Sequence, residues 1–294
     1  MFEGFTKTIR EVNGVSIAFR TGGSGPPLLL LHGHPQTHVI WHKVAARLAQ
    51  KFTVVAADLR GYGDSGKPES GEKHINYSKR EMAQDQADLM RSLGFSRFSV
   101  LAHDRGARVA HRLGMDHAGM VERMVLLDIA PTLAMYEKTN EAFARAYWHW
   151  FFLITPAPLP EKLIGNNPEL YARSVMGNRS AGMKPFTGEA FAEYVRCLSL
   201  PGTPGGICGD YRASAGIDLE HDRADMAAGR RLQCPLLALW GEDGAVGKIF
   251  EPLEEWRGVA DDARGNALPC GHYIAEEAPD LLLATALPFL RDEC

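Results

Sequence analysis

The scarcity of certain features narrows the class of this chain first. Its five cysteines (Cys197, Cys208, Cys234, Cys270 and Cys294) are scattered through 294 residues, odd in number and without CxxC spacing. That usage fits a reducing compartment with free, packed thiols better than a disulfide framework. No block of like charge is present: Lys and Arg total 32 against 36 for Asp and Glu, a formal net charge of −4, which argues against nucleic acid or an anionic membrane surface as partner. Long apolar runs are missing too. The longest, such as PPLLLL at residues 26–31, fall far short of the roughly 20 residues that a membrane span needs. The opening MFEGFTKTIR lacks the basic-then-apolar order of a signal peptide. The expectation is a cytoplasmic protein with a small-molecule partner, and a homodimer is compatible with it.

What is present is a succession of short, β-rich apolar runs closed by polar or Gly-containing turns: VSIAFR, PPLLLLHG, FTVVAADLRG, FSVLAHDRG, VERMVLLDIAP and CPLLALWGEDG. They read as buried strands. Amphipathic stretches lie between several of them, including WHKVAARLAQ, REMAQDQADLMRSLG and ARVAHRLGMDH. That alternation implies an α/β fold, a mostly parallel, doubly wound sheet covered on both faces. It stops after DIAP. From 133 to 214 the chain is aromatic, helical and punctuated by Pro and Gly, so 133–214 reads as a helical cap inserted in a core made of 1–132 and 215–294.

Residues 101–108 read LAHDRGAR. Ligands of a doubly wound sheet gather beyond the carboxyl ends of its strands, and the small-x-nucleophile-x-Gly pattern from Ala102 to Gly106 sets Asp104 at a nucleophile elbow. The N-terminus of the next helix would keep that carboxylate ionised, although an Asp that merely caps the helix suits the same position. Other residues favour chemistry: HGHP at 32–35 after a strand, Asp128 after a later strand, and His272 in GHY near the C-terminus. Nucleophile, acid and histidine then follow α/β-hydrolase order. Glu242 and Asp243 in LWGEDG are competing acids. Arg105 and Arg108 occupy a first helical turn, where the dipole opposes cations, so they ask for an anion. A substrate carboxylate is the natural partner for their planar forks, and a structural salt bridge is the alternative.

Taken together, LLLLHGHPQTHVIW, ADLRGYGDS, AHDRGAR, LDIAPT, ARAYWHWFF, DYRASAGIDLEHD and CGHY make the chain resemble an α/β-hydrolase of the haloacetate (fluoroacetate) dehalogenase family over nearly its whole length. The elbow and HGxP motifs are shared with epoxide hydrolases and haloalkane dehalogenases, whereas DRGAR combined with WHW and DYRA is more selective. The resemblance implies cofactor-free hydrolysis of a small 2-haloacid to a 2-hydroxyacid and halide. It implies Asp104 as nucleophile, His272 as base with Asp128 as its acid, Arg105 and Arg108 as carboxylate ligands, and His149, Trp150 and Tyr211 as halide-pocket donors. Trp148 and the neighbouring phenylalanines read as packing. Aspartate suits displacement at saturated carbon, because the ester it forms can be hydrolysed and the carboxylate regenerated.

Two features depart from that family: His34 stands where a phenylalanine is common, and the cap stretch MGNRSAGMKPFTGEAF matches poorly. His32, His34 and His38 form an H-x-H-x3-H string, but crowded into one turn without supporting carboxylates they lack the spacing of a zinc site, and no metal is expected. An epoxide hydrolase would use the same Asp104, His272 and acid, with Tyr147, Tyr171, Tyr194 or Tyr211 protonating the epoxide oxygen. A binding protein on an inactive hydrolase scaffold is the non-enzymatic alternative.

Overall fold

The computed structural model describes residues 1–293, and Cys294 lies outside the described residues. Among them eight strands form one sheet: β1 (Thr6–Val12), β2 (Val15–Gly22), β3 (Pro27–Leu31), β4 (Thr53–Ala57), β5 (Phe98–His103), β6 (Val121–Leu127), β7 (Leu236–Gly241) and β8 (Ala263–Leu268). Their order is β1-β2-β4-β3-β5-β6-β7-β8. β2 runs antiparallel to both β1 and β4, and every pairing from β4 to β8 is parallel.

The central strands are apolar on both faces. PLLLL, TVVAA and FSVLAH are buried almost throughout, as strands must be when helices cover both sides of a parallel sheet. β1 and β8, TKTIREV and ARGNAL, have no apolar run and form the two sheet edges, which is why hydrophobic pattern alone does not announce them. WHKVAARLAQ, expected as one helix, is instead a 3-10 turn over His38–Trp41 followed by the short helix Ala45–Leu48. Val39, Ile40, Trp41 and Val44 are all buried, and burying this partly β-branched run on more than one side outweighs its helical period.

Between β6 and β7 the regular structure of the described chain is entirely helical, from Thr132–Glu137 through to Ile217–Ala227. The last of these helices is tied to the sheet layer, since its Asp222 and Asp225 accept from Arg112 at 2.7 and 2.6 Å. Cys197, Cys208, Cys234 and Cys270 are buried free thiols. No described helix is long and apolar enough to cross a membrane.

Strand register brings the chemistry-bearing residues together. His103 pairs with Leu127, and Leu127 with Leu239, so Asp104 and Asp128, the next residues along, leave the sheet at one level beside the end of β7. The helix Asp104–Asp116 begins with no spacer after β5. Gly106 permits this: a Cβ there would lie 2.5 Å from the His32 carbonyl oxygen and 2.6 Å from the Leu31 carbonyl. Those are backbone atoms at the end of β3 and cannot turn aside. Gly106→Ala is therefore expected to cost about 1–3 kcal/mol of stability and to lower activity by lifting the helix from β3. Denaturant unfolding checks it, and an unchanged midpoint would show that the contact has slack.

Candidate active site

Asp104 has φ +46°, in the left-handed region where a side chain strains the backbone. Packing holds it there. Its carboxylate is buried, and Oδ1 accepts from the His34 N–H at 2.8 Å. Gly33 provides the room, because a Cβ on it would come within 2.4 Å of the Asp104 Cβ. His103 occupies the N-cap position and no side chain makes a cap bond, so Asp104 is not serving as the helix cap. Burial alone would push the Asp104 carboxyl up. His272, His103, Arg105 and the His34 N–H outweigh it and hold the group well below the usual carboxylate range.

His272 lies in the turn that follows β8. Glu277 clamps that turn by accepting from the N–H groups of Gly271 (2.6 Å) and Tyr273 (2.8 Å). His272 Nδ1 meets Asp128 Oδ2 at 2.6 Å, and Asp128 Oδ1 accepts from the Gly241 N–H at 2.9 Å. Donation from Nδ1 to the carboxylate leaves Nε2 with the lone pair that a base needs. Glu242 and Asp243 are exposed, and among the described residues Asp128 is the carboxylate paired with His272. His103, which the sequence did not single out, donates from Nε2 to the His272 carbonyl oxygen at 2.9 Å, with ring centroids 4.6 Å apart. Burial pushes the His103 imidazole down to about 4, so it stays neutral near pH 7.

The two arginines differ in their surroundings. Arg105 donates from Nε and Nη2 to Asp210 at 2.9 and 2.7 Å, and from Nη2 to the Ser214 hydroxyl at 2.6 Å. Asp210 also accepts from Lys79 and from the Tyr62 hydroxyl. Most of the Arg105 fork is thus structural, with Nη1 left buried and unpaired. Arg108 has neutral partners: the Thr132 hydroxyl at 2.8 Å, the Ala130 carbonyl at 3.4 Å and the Met135 sulfur at 3.1 Å. Among the described residues no carboxylate pairs with it.

The helical insert closes over these cations. The Arg105 guanidinium lies 4.0 Å from the Tyr211 ring centroid and that of Arg108 lies 4.7 Å from Trp150. The His149 ring is 6.0 Å from that of Tyr211. The Tyr211 hydroxyl and Trp150 Nε1 are buried without a hydrogen-bond partner. All the expected site residues are therefore brought together. Of the three clustered histidines, His32 bonds the Gly33 carbonyl and accepts from the Leu59 N–H, and His38 bonds Asp58. Both serve the fold.

Arg179 comes from the poorly matching stretch and gave no sequence signal. It stacks 4.5 Å over the Tyr147 ring and, with Asp243, Lys248 and His272, lines a cleft of about 280 Å³.

The α/β-hydrolase fold family matches residues 26–279. A fluoroacetate dehalogenase from Burkholderia sp is 45% identical over 99% of this chain and 96% of its own length. A soluble epoxide hydrolase from Corynebacterium sp. (strain C12) is 37% identical, with 95% and 94% covered. The structure superposes with TM-score 0.97 on a Nostoc sp PCC 7120 protein provisionally described as an alpha/beta hydrolase, 52% identical with both chains fully covered. The chain belongs to the α/β-hydrolase family. Within it, the chain is similar to the haloacetate dehalogenases.

If His272 serves as a base, only the acid that orients it can support that function. With a substrate the site hydrolyses, Asp128→Asn is expected to lower kcat by on the order of 10²–10⁴, while Asp243→Asn stays near the parental value. Steady-state kinetics of both variants checks this, and the opposite ranking would move the acid to Asp243.

Proposed function

We propose that this protein hydrolyses small 2-haloacids, haloacetates foremost, to 2-hydroxyacids and halide through an ester on Asp104. The observation that carries the reading is Arg108, a buried guanidinium with neutral partners beside an ionised carboxylate. Burial and the neighbouring Arg105 disfavour its charge, and the Asp104 carboxylate offsets them only in part. A substrate carboxylate supplies the missing negative charge and places the α-carbon of the same small molecule toward Asp104, with Arg105 Nη1 as a second donor. The full-length likeness to a fluoroacetate dehalogenase supports the same chemistry.

In this reading an Asp104 oxygen attacks the α-carbon, and the carbon–halogen bond breaks with its electron pair going to the halide. The Tyr211 hydroxyl and Trp150 Nε1 are free to donate to the departing anion. Water then adds to the Asp104 carbonyl carbon while His272 Nε2 takes its proton. Collapse breaks the ester C–O bond, the proton held by His272 passes to the departing alkoxide oxygen, and the 2-hydroxyacid leaves as Asp104 gives up a proton to solvent and is again a carboxylate. The unpaired Tyr211 hydroxyl and the epoxide hydrolase relative favour a second reading, opening of an epoxide by the same carboxylate; a neutral epoxide leaves Arg108 without its counter-charge.

Ion chromatography of halide released from fluoroacetate and chloroacetate tests the reading. His272→Asn is expected to release at most one halide per site and to accumulate an adduct on the Asp104 peptide, read by mass spectrometry. Halide release with Asp104 unmodified, or diol formation from epoxides without any halide release, would overturn it.

Charge recognition has its own signature. Arg108→Leu is expected to lower kcat/KM for haloacetate by on the order of 10² or more, and to change turnover of neutral haloacetamide far less. Comparable losses on both substrates would make Arg108 structural.

A further inference from the structure

His34 occupies a defined place in this pocket. Its ring is buried, stacked on His149 at 5.9 Å with planes 13° apart, and set edge-on to Tyr211 at 5.3 Å. Nε2 lies 2.9 Å from the Tyr171 hydroxyl, whereas Nδ1 is buried without a hydrogen-bond partner. Burial pushes the imidazole down to about 3, so the neutral ring carries one N–H near pH 7.

Two tautomers compete for that proton. On Nε2 it would be donated to the Tyr171 oxygen, leaving both the Nδ1 lone pair and the Tyr171 hydroxyl hydrogen buried and unmatched. On Nδ1 it lets the Tyr171 hydroxyl donate to Nε2, so a single unmatched group remains, the Nδ1–H. An unmatched buried polar group costs about 1–3 kcal/mol, and the second tautomer is favoured. The unpaired Tyr211 hydroxyl and Trp150 Nε1 belong to the same ring cluster. Three buried donors without acceptors in one ring cluster suit an anion as their partner.

We propose that His34 is a specificity-determining residue: its Nδ1–H, presented by the Tyr171–Nε2 hydrogen bond, is a further donor to the departing halide and biases the site toward fluoride. The inference rests on the dehalogenase reading above. Fluoride is the smallest halide, the strongest hydrogen-bond acceptor and the poorest leaving group. A donor positioned where its charge develops therefore lowers the barrier to carbon–fluorine cleavage more than that to carbon–chlorine cleavage.

Halide release from fluoroacetate and chloroacetate is compared for the parent, His34→Phe, His34→Asn and Tyr171→Phe. His34→Phe keeps a ring and removes the donor, and is expected to lower fluoroacetate kcat by about 10- to 100-fold more than chloroacetate kcat. Asparagine carries an amide nitrogen where Nδ1 stands, so His34→Asn is expected to recover much of the fluoride-to-chloride ratio. Tyr171→Phe leaves the imidazole in place but frees Nε2; it is expected to shift the ratio the same way and carries the test if His34→Phe does not fold. Equal losses on the two substrates, or an unchanged ratio, overturn the proposal and leave the dehalogenase reading standing. No halide from either substrate with the parent protein overturns that reading, and this proposal with it.

Discussion

A buried ion pair between Arg105 and Asp210 joins the first turn after β5 to the helix Thr203–Ser214 of the insert. Removing two charges from water costs several kcal/mol per ion, and a buried pair recovers this only with good geometry and further hydrogen bonds. Here Asp210 accepts from two of the three Arg105 side-chain nitrogens, from Lys79 and from the Tyr62 hydroxyl, while Arg105 also reaches Ser214. The pair holds Tyr211 beneath the guanidinium and so sets the roof of the pocket relative to its floor. Losing one partner would leave an uncompensated buried charge, which costs about 3–5 kcal/mol.

Charge around Asp104 is layered by that arrangement. Asp210 neutralises Arg105 and Asp128 faces His272, so two cationic or proton-accepting groups near Asp104 already have carboxylate partners. Arg108 does not. On the proposed dehalogenase reading, a small carboxylate entering the site would complete the pattern instead of adding repulsion. The two arginines are thus unlike: a salt bridge pairs Arg105 directly, while the direct partners of Arg108 are neutral.

The legible part of the molecule was the part governed by local rules. The doubly apolar strands β3 to β7, the elbow at Ala102–Gly106 and the order Asp104, Asp128, His272 could be read from sequence, because burial on both faces and a tight strand-to-helix turn restrict composition. The choice of Asp128 over Asp243 depended on resemblance; the hydrogen bond to His272 supplies its geometric basis. What escaped depends on partners distant in the chain. β1 and β8 are held by neighbouring backbone and need no apolar run. Asp210 lies 105 positions from Arg105, so nothing near LAHDRGAR distinguishes the paired arginine from the unpaired one. Arg179 and His103 act through stacking and a backbone carbonyl, contacts that almost any sequence context can conceal.

The groups that would touch substrate are nearly all sealed, with Asp104 at 3%, Arg108 at 2% and His272 at 2% of full exposure. A closed pocket sets the tempo of a catalytic cycle as well as its dielectric. Reactant and product must pass through a more open conformer, so entry and exit are slowed by the small fraction of time spent in it, while equilibrium affinity is set by the closed, bound state. An opening of the helical insert against the sheet would then be a step of the cycle alongside bond breaking.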